Sequence, residues 1–131
     1  MQRDYDEERE LQRYIFLRFD HLMTEPEHRA NRADFFLKKA AQGSGKVAEK
    51  MRTKIVDSDE VADLLSGGSE AFRMRVVARV QKEEASKLYI NRCEACDRIV
   101  ATPRACMCTW CGHSWFDRRQ SQNELAASYG V

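Results

Sequence analysis

The sequence predicts a mainly α protein, a small helical bundle followed by a C-terminal β-hairpin built around cysteines. Three observations predict it. Apolar residues recur at three- and four-residue spacing through most of the first 88 residues. Gly, Pro, Asp and Ser punctuation between those stretches is of the kind that stops one helix and caps the next. Beyond residue 88 that periodicity gives way to two C-x-x-C pairs separated by eleven residues.

The first helix is predicted over 6–23. Leu11, Ile15, Phe19 and Leu22 fall at i, i+4, i+8 and i+11, and Tyr14, Phe16, Leu17 and Met23 widen the stripe enough for two neighbours. Thr24-Glu25-Pro26-Glu27 ends it and starts another. Thr24 is placed to accept a backbone N–H as N-cap, Pro26 sits where its missing donor costs little, and Glu27 holds the capping-box position. The second helix, about 25–42, is expected to bury Ala33, Phe36, Leu37 and Ala40, with Phe35 a further candidate. Arg29, Arg32, Lys38 and Lys39 are left for its other surfaces.

Gly43-Ser44-Gly45 reads as a connection, and Val47, Met51 and Ile55 mark a third helix. Asp57-Ser58-Asp59 supplies a stop and a new N-cap for a short fourth helix carrying Val61, Leu64 and Leu65, which Gly67-Gly68 terminates. Ser69 caps a fifth, about 70–88, buried through Phe72, Val76, Val77 and Val80. The chain then extends at Tyr89-Ile90. No internal repeat or low-complexity segment is visible.

Composition narrows the class. The 131 residues suit one compact domain or a main body with a small appendage, and 43% hydrophobic content can build a modest core. No stretch approaches the roughly 18 to 20 apolar residues that cross a bilayer. The first ten residues, MQRDYDEERE, are acidic and polar, the opposite of a signal peptide. A soluble cytoplasmic protein is therefore expected, in which paired cysteines more often hold metal than form disulfides. Five cysteines would in any case leave one without a disulfide partner.

Charge is balanced overall, at +1, but blocked along the chain. Residues 1–28 carry 4 Lys/Arg against 8 Asp/Glu, 29–56 carry 8 against 2, 57–68 carry 0 against 4, and 69–131 carry 10 against 7. Oppositely charged helices packed side by side account for this pattern. A basic surface around 29–56 facing an acidic partner or nucleic acid is the competing account.

The cysteines carry the chemistry. Cys93-x-x-Cys96 and Cys108-x-x-Cys111 each present two thiolates from one short loop. Two such loops brought together close a tetrahedral S₄ shell, the geometry Zn²⁺ prefers. Between them Ile99-Val100 suggests a strand, Thr102-Pro103 a turn, and the residues before Cys108 a returning strand. Cys106 and His113 compete for ligand roles. Cys106-x4-Cys111 breaks the loop spacing, so Cys106 reads as a packed or free thiol, and His113 as a neighbour of the site. Four thiolates would leave no vacant position for water or substrate, which makes the expected role structural.

Residues 90–117 resemble a zinc ribbon, in which two such knuckles share one metal. Gly112 after Cys111 matches the knuckle pattern; Asp97 after Cys96 departs from it, Asp being tolerant of the left-handed backbone region. The longer string Asn91-Arg92-Cys93-x-x-Cys96, then Thr102-Pro103-x-Ala105-x-x-Cys108-x-x-Cys111-Gly112-His113-x-Trp115, is similar to the tail of small, functionally uncharacterised bacterial proteins with a helical N-terminal part. The resemblance implies the architecture and the four ligands, and no activity. The expected organisation is a helical domain over 1–88, the ribbon over 89–117 and a tail over 118–131 that is either frayed or a short helix.

Other candidate motifs fail. Gly43-Ser44-Gly45-Lys46 lacks the first glycine and the final Ser/Thr of a phosphate loop, with Ala40 and Val47 in their places. His21 and His28 have no acid or nucleophile at usable spacing. Asp57, Asp59, Glu60 and Asp63 lack the glycine and terminal glutamate of a calcium loop. No enzyme is expected. The leading expectation is a protein-interaction or regulatory module, a class that includes toxin-neutralising partners. Trp110, Trp115, Phe116, Arg98 and Arg104 are its candidate contact residues. The alternative is a nucleic-acid-binding regulator using Arg92, Arg98, Arg104, Arg118 and Arg119 beside the tryptophans, with Arg75, Arg79 and Lys82 on one flank of the fifth helix. No membrane partner is expected.

Overall fold

A computed structural model of the chain describes residues 4–42 and 58–131. It is mainly helical. Its helices are α1 (Glu7–Arg18), α2 (Glu25–Ala40), α3 (Asp59–Leu65), α4 (Ser69–Glu83) and α5 (Arg119–Ser128), with short 3-10 turns at Asp20–Leu22, Ala85–Lys87 and Phe116–Arg118. The helix predicted around Val47, Met51 and Ile55 lies outside the described residues. Among the described residues no strand forms. The cysteine region instead holds two isolated antiparallel bridges, Arg92 with Ile99 and Met107 with Ser114. None of these helices is long and apolar enough to cross a membrane.

By contacts the chain divides into two compact units, Leu22–Arg79 and a discontinuous one formed by Met1–His21 with Val80–Val131.

In Leu22–Arg79 the start of α2 is a capping box. The Thr24 hydroxyl accepts from the Glu27 N–H at 3.3 Å, and the Glu27 carboxylate accepts from the Thr24 N–H at 2.8 Å. Ser58 caps α3 through the Val61 N–H. Gly67 and Gly68, both at positive φ, turn the chain from α3 into α4, and the Arg75 guanidinium donates to the Leu64 carbonyl at the end of α3. Ser69 opens α4 with its hydroxyl on Asp34 at 2.6 Å. Phe72, Val76 and Val77 are buried as predicted, as is Val61.

Phe36 departs from expectation. It is 43% exposed, and Phe35 55%, the two rings meeting edge to face with Lys39 over Phe35. The buried positions of α2 are Glu27, which the helix cap holds, and the small residues Ala30, Ala33 and Ala40. Small side chains permit close helix approach, and α2 packs on α3.

In the discontinuous unit Asp6 caps α1, which buries Tyr14, Ile15 and Phe16, followed by Phe19. Leu17, expected to widen the apolar stripe, is 51% exposed. The tail left open between frayed and helical is helix α5. Ala126 is fully buried, Tyr129 stacks on Tyr89, and the Gln122 amide donates to the Tyr89 hydroxyl and the Pro103 carbonyl, each at 2.7 Å.

Candidate metal centre

Each cysteine pair sits in a tight loop whose backbone hydrogen bonds repeat with a shift of 15 residues. Cys93 N–H donates to the Arg98 carbonyl and Asp97 N–H back to the Cys93 carbonyl; Cys108 N–H donates to His113 and Gly112 N–H to Cys108, all at 2.8–2.9 Å. The outer rungs match as well: Val100 N–H to the Asn91 carbonyl, Trp115 N–H to the Cys106 carbonyl. Both positive-φ residues, Asp97 at 61° and Gly112 at 82°, occupy the same place in the two loops. The sequence hid this repeat because only the two cysteines are common to 91–100 and 106–115.

The loops bring Cys93, Cys96, Cys108 and Cys111 together, with all four sulfurs within 4.8 Å of one another. Cys93 Sγ lies 3.6 Å from Cys111 Sγ, and Cys96 Sγ 3.7 Å from Cys108 Sγ. A tetrahedral ion with metal–sulfur bonds of about 2.3 Å needs sulfur–sulfur edges of roughly 3.8 Å. The donor set and its spacing fit a metal ion such as zinc.

The electrostatics fit too. Burial pushes the Cys93 thiol up, but backbone N–H groups of Cys96 and Ala95, with the Cys111 thiol, bring it down to about 7. For Cys96 the Arg98 N–H lowers the value, yet burial and the three neighbouring thiols raise it to about 11. Four thiolates this close repel one another, and a cation relieves that repulsion.

Cys106 stands outside the sulfur cluster. It occupies the position of Asn91 in the repeat, is 5% exposed, and its thiol donates to the Arg104 carbonyl at 3.6 Å. His113 binds neither sulfur nor the cluster. Its Nε2 lies 2.9 Å from the Glu94 carboxylate, which also accepts from Arg118 at 2.6 Å. Together these two partners hold the Glu94 carboxyl below the usual range.

Of the candidate contact residues, Trp115 is 5% exposed and packs with Cys93, Val100, Cys106 and Cys108. Trp110 is half-buried, edge-on to Tyr5 at 4.9 Å between ring centres. Phe116 is exposed, with Arg119 over its ring. Arg98 lies over the Tyr5 and Trp110 rings, and Arg104 donates to the Val131 carbonyl.

Three anchors went unseen in the sequence because their partners are 75 to 94 residues away. The Tyr5 hydroxyl accepts from Ile99 N–H at 3.0 Å, and the Glu7 carboxylate pairs with Arg92 at 2.6 Å. The Tyr14 hydroxyl donates to the Tyr89 carbonyl at 2.7 Å and accepts from Asn91 N–H at 3.2 Å. The buried Asn91 amide in turn donates to the Thr102 and Ala105 carbonyls, holding the link between the loops. No protein-family model, curated protein or solved structure matches the chain.

Two predictions arise here. Gly112→Ala should lower stability by about 1–2 kcal/mol in thermal denaturation of the metal-loaded protein, the cost of an L-residue at positive φ. Nothing lies within 4 Å of the added Cβ, so the loss is conformational rather than steric. Tyr14→Phe should cost about 1–2 kcal/mol by leaving buried partners unmatched. Burial raises the Tyr14 phenol well above its ordinary value, with the Asn91 N–H and Arg18 opposing. A raised acid stabilises the fold below its unfolded pKa near 10 and loses that contribution as pH climbs through the folded value. Stability should therefore fall above about pH 10, less so in the phenylalanine variant.

Proposed function

We propose that this chain is a non-enzymatic zinc-binding protein in which one Zn²⁺, held by Cys93, Cys96, Cys108 and Cys111, is structural. The observation that carries the reading is the sulfur cluster, whose edges of 3.6 and 3.7 Å suit a tetrahedral ion. The two bridged loops with left-handed residues at equivalent positions support a zinc-ribbon arrangement over 89–117. An ion with four thiolates is coordinatively complete, so it serves the fold and not a reaction.

What the fold then offers is a surface, and a protein-interaction role suits it better than nucleic-acid binding. Arg92, Arg98, Arg104 and Arg118, the cations that would meet phosphates, are engaged with Glu7, the Tyr5 and Trp110 rings, the Val131 carbonyl and Glu94. Elemental analysis of the purified, reduced protein should return one zinc per chain. Cobalt substitution should give the intense absorption of a tetrahedral tetrathiolate. Iron in that stoichiometry, or no metal at all, overturns the reading.

A further inference from the structure

Between α1 and the two cysteine loops runs a groove of about 130 Å³. Its floor is Tyr14, Ile99 and Val100, all buried. Leu17, half exposed, and Trp110 form its walls. Arg13, Arg18 and Glu10 stand on the rim. Among the described residues neither arginine makes an ion pair, while Glu10 has an interaction of its own. An organic cofactor needs roughly 300–1,000 Å³, so this space suits a single apolar side chain.

We propose that this groove docks an acidic peptide segment of a partner protein, seating one aliphatic side chain between Leu17 and Trp110 with flanking carboxylates on Arg13 and Arg18. Three features argue for that occupant. The apolar walls give the anchor that extended peptides use, since an aliphatic or aromatic pocket supplies most of the affinity of a small interface. Two guanidiniums that form no ion pair among the described residues give charge complementarity beside it, and guanidiniums pair carboxylates in a planar, two-bonded fashion. Leu17 is also half exposed on a helix whose neighbouring residues Tyr14, Ile15 and Phe16 are buried. The proposal rests on the protein-interaction reading, and Thr109 and Trp110 of its lining belong to the second cysteine loop.

The test is fluorescence polarisation at low salt on the full chain, with zinc content measured in the same sample. The probes are a labelled peptide with one leucine between glutamates, its lysine-for-glutamate counterpart and a short oligothymidylate. The acidic peptide should bind with a Kd of about 1–100 μM, as befits a small interface. Arg13→Glu and Arg18→Glu should each weaken it at least tenfold, and Leu17→Glu should abolish it. Arg9→Glu, an equal charge change on an exposed α1 residue outside the groove, should leave binding within twofold. All four positions are exposed or half exposed, and retained zinc and helical content would show that each variant folds.

Absence of acidic-peptide binding by zinc-loaded protein overturns the docking proposal and leaves the metal reading standing. So does an equal loss in Arg9→Glu, or tighter binding of the oligothymidylate. A chain that binds the peptide yet carries no zinc keeps the groove and removes the metal reading.

Discussion

Cys108→Ala should weaken metal binding about a hundredfold, whereas Cys106→Ala should leave it unchanged. The two cysteines are two residues apart, 0% and 5% exposed, and pack in the same cluster. Truncating either thiol therefore removes a similar amount of core, on the order of 1 kcal/mol. Only Cys108 Sγ belongs to the four-sulfur group. Structural zinc contributes about 10–16 kcal/mol to small domains, so one ligand's share is about 3 kcal/mol, or roughly a hundredfold in affinity. Competition against a chromophoric chelator would read that ratio directly. Chelation of the parent protein should also release the Tyr5 and Glu7 contacts, because Arg92, Arg98, Ile99 and Trp110 are positioned by the two loops. Equal zinc affinity in the two variants would mean that Cys108 is not a ligand.

Glu27→Ala should be the most damaging substitution outside the cysteines, lowering stability by about 3–5 kcal/mol. Glu27 is 4% exposed, and both carboxylate oxygens are occupied. Oε1 accepts from the Thr24 N–H and from Arg79 Nη2 at 2.6 Å, and Oε2 accepts from Arg79 Nε at 2.8 Å. Arg79 Nη2 also donates to the Leu22 carbonyl. Removing the carboxylate takes away the acceptor of the Thr24 N–H, one half of the capping box, and the charge that faces the largely buried Arg79 guanidinium. Thr24→Ala, which removes only the cap hydroxyl, should cost about 1 kcal/mol. Replacing Glu27 and Arg79 together by methionine should recover part of the loss, since the two charges that face each other are then removed together. Denaturant midpoints of the three variants would separate the cap from the ion pair.

How far the sequence was legible depends on the reach of each interaction. The capping box at Thr24 and Glu27, the Ser58 cap and the Phe72, Val76, Val77 stripe are decided within a turn or two, and all could be read. The cysteine loops were legible for the same reason: three-residue spacing and the chemistry of thiolates leave few arrangements. Phe36 was misplaced, and the pattern could not choose for Trp115, because an aromatic ring is equally at home in a core and on a surface, and only the neighbours decide. The Arg79 partner of Glu27, the Asn91 hub and the Tyr5, Glu7 and Tyr14 anchors depend on residues 11 to 94 positions away. No local pattern announces them. Helix α5 has few apolar residues to reveal it, and it is settled by Ala126, Gln122 and Tyr129 meeting the rest of the unit.

One of the two compact units is assembled from both ends of the chain, Met1–His21 and Val80–Val131. On a ribosome the opening helix is made first and must wait for its binding sites at Tyr89, Asn91, Arg92 and Ile99 to emerge. The Leu22–Arg79 stretch is synthesised in that interval with all its internal partners at hand. Synthesis in the N-to-C direction thus sets an order of completion, in which Leu22–Arg79 can close before α1 meets its partners.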